Sequence, residues 1–472
     1  MNSLTHFNSL NPNKHLKEKF VSNLSGSSML EIAALSLIPP LLLVLRHAIC
    51  SSDQTGNLSS NGKRVSTKKD DDATAVSKKL GAYLTTMTVD FLSIILPILL
   101  FFTVLSQWTF VSAILLSLVV FTVAAKRFTS STSYAGGSLS LRTNISSYRV
   151  LVMLVTCLCI LAVDFRIFPR RFAKTETFGT GLMDLGVGSF IVANALVSRN
   201  ARGVSSMSWK NAIQSTSPLL LLGFGRLFST RSVDYQVHIG EYGVHWNFFF
   251  TLASVAILTT IINIRPRYSG IVGLAILSGY QFWLSHGLNA YLLSEERGTD
   301  ILSKNKEGIF SILGYWGMYL VGVQLGNFLF FGNNSSTTVG SNKWARIRIL
   351  VLSVIFWSIT ILLDRHVERV SRRMCNLAYV TLVLAQNLQV LAVVMLSDYM
   401  VGSKVSVLEE ALNRNLLAAF LLANILTGLV NLSMDTLSAS SFLALVVLLL
   451  YAYLLSILTG LADFYGVRLK FW

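Results

Sequence analysis

Acidic side chains are scarce in this sequence: 23 Asp and Glu stand against 39 Lys and Arg in 472 residues, and charged residues of both signs reach only 13%. Soluble domains carry about 25% charged residues, so the chain lacks the polar coat that holds a globule in water. Cysteine is rare too. The four present, Cys50, Cys157, Cys159 and Cys375, follow no finger-type metal spacing, and Cys157 and Cys159 lie in an apolar run that favours the inert thiol. No metal and no thiol chemistry is assigned to them. The sequence also lacks an internal repeat of fixed period, which weakens any transporter reading built on duplicated halves. Period-two alternation is missing from the apolar runs, and a membrane β-barrel is excluded with it.

Long apolar runs fill the space these absences leave. Hydrophobic residues make up 53% of the chain and its mean hydropathy is positive. A helix needs about 20 apolar residues to cross a bilayer, and about thirteen runs approach that length. They centre on residues 29–45, 84–105, 111–125, 150–163, 185–197, 212–228, 248–264, 271–288, 309–331, 347–363, 377–396, 416–432 and 442–461. Backbone polar groups in lipid must be satisfied within the segment, so apolar runs of this kind are helices. The expected fold is all-α, a polytopic transmembrane helical bundle of about 13 spans forming a single membrane domain over residues 1–472. Residues 51–79 and 129–147, rich in Ser, Gly and Thr, are expected to be flexible loops.

The formal charge of +16 sits in short basic clusters between the apolar runs. Such clusters serve as topological flanks and lipid-headgroup contacts, and no separate basic domain exists for nucleic acid. No cleavable signal is expected ahead of the first span, which is expected to target the chain itself. With thirteen spans the termini lie on opposite sides. The loops on the side of the C-terminal tail hold the larger share of Lys and Arg, which predicts a lumenal N-terminus and a cytosolic C-terminus. Arg468 and Lys470 stand fifth and third from the end, as in a dilysine-like retrieval signal, although anchoring of the last helix explains them equally. Sequons at Asn23, Asn57, Asn144, Asn333 and Asn431 fall on both expected sides and decide nothing.

One inter-helical segment differs from the others. From Asp164 to Gly181 six charges alternate with aromatics: Asp164, Arg166, Arg170, Arg171, Lys174 and Glu176. Asp164 ends an apolar helix near the hydrocarbon boundary, where a charge is normally paired or functional. Lys174 follows ten residues later, past a turn at Pro169. An aspartate and a lysine brought together can transfer a proton and stabilise an anion. They can equally form an interfacial ion pair, with Arg166, Arg170 and Arg171 as headgroup anchors. Gly179, Gly181, Gly186 and Gly188 flank Asp184 at the next helix start and permit close approach of an anionic headgroup. Arg226, after Gly223 and Gly225, is a further headgroup candidate. His286, in an apolar span beside Ser285 and Asn289, is the alternative catalytic base or an inter-helix hydrogen-bonding residue. His238, Glu241 and His245 lack a fourth metal ligand. Asp90, inside the second span, is expected to pair with another helix, while Asp364, Asp398 and Asp463 read as span-boundary residues.

Residues 161–190 closely resemble the inositol acyltransferase family of GPI-anchor biosynthesis, whose fungal member is called the GPI-anchored wall transfer protein. Two further blocks carry the resemblance: Ala201-Arg202-Gly203-Val204-Ser205 with Gly223-Phe224-Gly225-Arg226, and residues 241–250, which read EYGVHWNFFF. The number of spans agrees over essentially the whole chain. The resemblance implies a multi-pass enzyme of the endoplasmic reticulum membrane. It would move a long fatty acyl group from acyl-CoA, its co-substrate, to the inositol ring of glucosaminyl-phosphatidylinositol. The family's acid–base pair falls on Asp164 and Lys174. On that basis Asp164 is the expected general base and Lys174 orients it or supports the developing negative charge, while Arg166, Arg170 and Arg171 clasp phosphate. No cofactor, metal, nucleic acid or obligate protein partner is expected. The competing functions are a polytopic lipid transporter or flippase, and a scaffold in which Asp164 and Lys174 are dispensable.

Overall fold

The computed structural model describes residues 14–52, 71–130, 140–204, 209–232, 239–331, 341–399 and 404–468. These are helical apart from short connections and two isolated bridges at Thr180. Nine helices among the described residues are long and apolar enough to cross a membrane: Met29–Ile49, Ser77–Phe102, Ser106–Lys126, Leu141–Ala162, Lys306–Phe331, Trp344–His366, Leu377–Tyr399, Leu416–Ser433 and Ser441–Phe464. The other four expected spans are helices too, but of a different kind. Leu185–Leu196 and Phe248–Ile262 have 12 and 15 residues, and at about 1.5 Å per residue neither alone reaches across a hydrocarbon core of about 30 Å. Trp209–Ser232 carries Lys210, Arg226 and Arg231 as well as an internal Pro218. Pro266–Trp283 runs into a π-helical turn, Leu284–Leu288, where Gly287 takes φ +114°.

Both expected loops prove shorter than their composition suggested. The Asp71–Asp90 helix begins inside the 51–79 stretch. The Leu141–Ala162 helix begins inside the 129–147 stretch, where the Ser140 side chain accepts from the Thr143 backbone N–H at 3.2 Å and caps it. Asn144 and Ser147 are buried in that helix rather than solvated. Residues 53–70 and 131–139 of the two stretches lie outside the described residues.

The chain forms two compact units, one of residues 1–29, 170–388 and 471–472, the other of residues 30–169 and 389–470. In the first unit the Lys306–Gly326 helix packs against Pro266–Trp283, Leu185–Leu196 and Phe248–Ile262. Its glycines let backbones meet: a Cβ at Gly314 would lie on the Cys375 carbonyl oxygen, and one at Gly326 on the Leu196 carbonyl oxygen. Asn247 starts the Phe248–Ile262 helix by accepting from the N–H groups of Phe249 (3.0 Å) and Phe250 (3.3 Å), and its own amide donates to the Gly223 carbonyl at 2.9 Å. Asn247→Ala removes the cap and strands a buried carbonyl, so a loss of about 1–3 kcal/mol is expected, read as a lowered thermal midpoint in detergent.

In the second unit Leu141–Ala162 packs against Leu416–Ser433 and Val407–Arg414, and Ser441–Phe464 against Asp71–Asp90. Buried charge is paired here. Asp90 accepts from Arg46 Nε at 2.8 Å and from the Leu408 N–H at 3.1 Å, the inter-helix pairing expected of it. His47 meets Glu409, and Asn144 donates to Asp398 at 2.8 Å. Of the other boundary aspartates, Asp463 pairs with Arg414 at 2.7 Å and Asp364, in the first unit, accepts from the Val370 N–H at 2.8 Å. Cys157, Cys159 and Cys375 are free and buried; burial pushes the Cys375 thiol well above its ordinary pKa, so it stays protonated.

Candidate active site

Asp164 lies just past the end of the Leu141–Ala162 helix, and the last turns of that helix hold it in place: its N–H donates to the Leu161 carbonyl at 3.1 Å. The residue is 7% exposed. Its Oδ2 accepts from the side-chain amide of Asn431, 2.7 Å away on the Leu416–Ser433 helix. An amide donor helps to orient a carboxylate, a group chemically able to accept a proton.

Lys174 belongs to the other unit. Its Nζ sits 2.7 Å from Glu241 Oε1 and its side chain is 40% exposed. The same Glu241 oxygen accepts from Arg372 Nη1 at 3.1 Å, while Arg372 Nε reaches Asp184 Oδ1 at 2.8 Å. Asp184 therefore does not offer a free carboxylate to a ligand. Besides Arg372 it accepts from the Thr175 N–H at 3.1 Å and from the Gly181 N–H at 2.8 Å, so it clamps the chain on both sides of residues 176–180. Gly181 is needed for this clamp, because a Cβ there would lie on the Ala173 carbonyl oxygen. Burial alone would raise the Glu241 pKa, but the charges of Lys174, Arg372 and Arg226 outweigh it and hold the carboxyl at about 2. Burial likewise opposes the Arg372 cation, and Glu241 and Asp184 overcome it, leaving the guanidinium above its ordinary pKa. Both groups stay ionised at any physiological pH.

The segment that carries Arg372, between the helices Ser341–His366 and Leu377–Val394, ties down several other loops. The Ser371 hydroxyl donates to the Thr177 carbonyl, and the Gly179 N–H donates to the Val370 carbonyl at 2.8 Å. Arg373 Nη2 lies 3.0 Å from Glu307 Oε1, which Arg297 also holds. The Tyr379 hydroxyl donates to the Asp184 carbonyl at 2.7 Å.

The remaining sequence-predicted residues are dispersed. Arg166 is exposed in the second unit. The Arg170 guanidinium lies 4.0 Å over the Phe20 ring and that of Arg171 4.8 Å over Phe172, which gives both a cation–π anchor beside any phosphate role. Arg226 is exposed, with its charge acting on Glu241. His286 is exposed at the π-helical turn; its Nδ1 lies 2.8 Å from the Phe282 carbonyl and its ring stacks on Phe282 at 3.9 Å. His238 lies outside the described residues, and among the described residues no three His, Cys, Asp or Glu side chains gather as a metal site. Sequence reasoning missed Arg372, which reads as one more basic flank, and saw Asn431 only as a sequon. It met Glu241 as a rejected metal ligand and as the first residue of the 241–250 block, with no role assigned.

A helical protein with nine apolar helices among its described residues long enough to span a bilayer is a polytopic membrane protein. The GWT1 family model matches residues 13–462. Comparison with known proteins finds an uncharacterized protein of Arabidopsis thaliana, 56% identical over 92% of this chain and 99% of its own length. GPI-anchored wall transfer protein 1 of Aspergillus oryzae is 36% identical over 95% of this chain and 97% of its own. The mouse glucosaminyl-phosphatidylinositol-acyltransferase PIGW is 32% identical over 97% and 99%. This chain belongs to the GWT1 family.

Proposed function

We propose that this chain is an O-acyltransferase of GPI-anchor biosynthesis that moves a long-chain fatty acyl group from acyl-CoA to the inositol ring of glucosaminyl-phosphatidylinositol. The observation that carries this is the full-length similarity to a mouse protein named as the glucosaminyl-phosphatidylinositol acyltransferase. That name favours acyl transfer over a flippase or transporter. In the proposal all thirteen apolar helical segments lie in the endoplasmic reticulum membrane, with the N-terminus lumenal and the C-terminus cytosolic. The short ones are supported by the neighbours they pack on. Acyl-CoA is the only co-substrate, with no further cofactor, metal or obligate protein partner.

The chemistry follows from the residues. Asp164 accepts the proton of the inositol hydroxyl as its oxygen attacks the thioester carbonyl. Lys174 supports the negative charge that gathers on the carbonyl oxygen. The C–S bond then breaks, and the departing CoA sulfur takes the proton from Asp164. No acyl-enzyme forms. Arg166, Arg170, Arg171 and Arg226 are the proposed phosphate contacts of donor and acceptor, and Asp184 shapes the loop that carries Lys174.

The test is acyl transfer from labelled acyl-CoA to glucosaminyl-phosphatidylinositol by the purified chain, with a flippase assay in parallel. Absence of inositol acylation by folded protein would sink the proposal. In the same assay His286→Ala is expected to keep its rate within about two-fold, because the ring is committed to its own helix on an exposed face. A large loss would make His286 the base.

A further inference from the structure

Lys174 is held from two directions. Its backbone is fixed through the next residue, whose N–H donates to Asp184, and its ammonium is fixed by Glu241. One guanidinium joins the two holds, since Arg372 uses Nε for Asp184 and Nη1 for Glu241. The result is a line of alternating charge, Asp184–Arg372–Glu241–Lys174, whose side chains are 1%, 4%, 17% and 40% exposed in that order. The closed end is rigid and the open end is the ammonium.

A device for stability alone would not look like this. Burying Asp184 with Arg372 carries a desolvation cost that an apolar pair of similar volume avoids. A half-exposed ion pair such as Lys174–Glu241 adds little stability. What the line does achieve is orientation. A free lysine has about 2 kcal/mol of rotamer entropy to lose on being fixed, and here a carboxylate that is itself held in place has already fixed it. A lysine in place of Arg372 presents a single nitrogen and cannot hold both carboxylates in this geometry.

We infer that Arg372 and Glu241 are positioning residues that hold the Lys174 ammonium in its working place, an inference that rests on the role proposed above for Lys174. The experiment uses the full chain and measures kcat and KM for both substrates together with the thermal midpoint. Glu241→Gln keeps an oxygen able to accept from Arg372 and Lys174 but removes the charge. It is expected to lower kcat by about 10- to 100-fold with both KM values within about two-fold and the midpoint unchanged. Glu241→Asp, which keeps the charge at shorter reach, should recover part of kcat, and Arg372→Lys should lower kcat as Glu241→Gln does. A wild-type kcat in Glu241→Gln overturns the inference, as does a kcat loss matched by an equal loss of folded protein. Lys174→Ala separates the two levels. If it is inactive while Glu241→Gln is fully active, the proposed chemistry stands and the positioning falls. If it transfers at the wild-type rate, Lys174 has no role to be positioned for.

Discussion

Asp164→Asn is expected to lower the acyl-transfer rate by about 10²- to 10⁴-fold, the range general-base catalysis contributes, with folding preserved. Asparagine has the size and shape of aspartate, and its carbonyl oxygen can still accept from Asn431, so that hydrogen bond survives. What disappears is the ability to take a proton from a hydroxyl. The measurement is single-turnover acyl transfer with the thermal midpoint as a control for folding. A rate within about three-fold of wild type at an unchanged midpoint would remove Asp164 as the base and with it the central step of the proposed reaction. A fall in both rate and midpoint would instead assign Asp164 to the structure of the helix end it occupies.

Arg372→Ala is expected to have the largest effect on stability. It removes the cation that serves two carboxylates at once and leaves Asp184 buried and Glu241 mostly so. Removing one member of a buried pair costs about 3–5 kcal/mol, against a total stability of about 5–15 kcal/mol for a folded domain. The loops held by Asp184 and Glu241 lose their tie together, so the expected readout is a strongly lowered thermal midpoint and a loss of monodisperse protein in detergent. An unchanged midpoint would mean that water reaches both carboxylates. This prediction is separate from the kinetic one made for Arg372→Lys, which retains a cation near the site.

The helices were legible in the sequence because the bilayer imposes a simple rule on each segment: about 20 apolar residues without internal charge. All thirteen apolar runs are helical, and the four that fall short as spans do so through length or polarity. The loops were harder to read. A Ser-rich composition does not distinguish a solvated linker from a helix start, and Ser140 turned out to cap one while Asn144 lies buried in it. The candidate site was half legible. Asp164 and Lys174 stood out through a local pattern that resembles a known family. Their partners did not, because the contacts are remote along the chain: Glu241 lies 67 residues from Lys174, Arg372 188 from Asp184, and Asn431 267 from Asp164. Only folding brings such residues together, and nothing in the local sequence distinguishes Arg372 from an ordinary basic flank.

The glycines of the Lys306–Gly326 helix bear on where a fatty tail can go. Where that helix meets Cys375 and Leu196, backbone already lies against backbone, with no width left for a methylene chain. The acyl group proposed above has no passage at those two points, whereas Phe224, Phe228, Ile271 and Phe282 of the same unit present exposed apolar side chains.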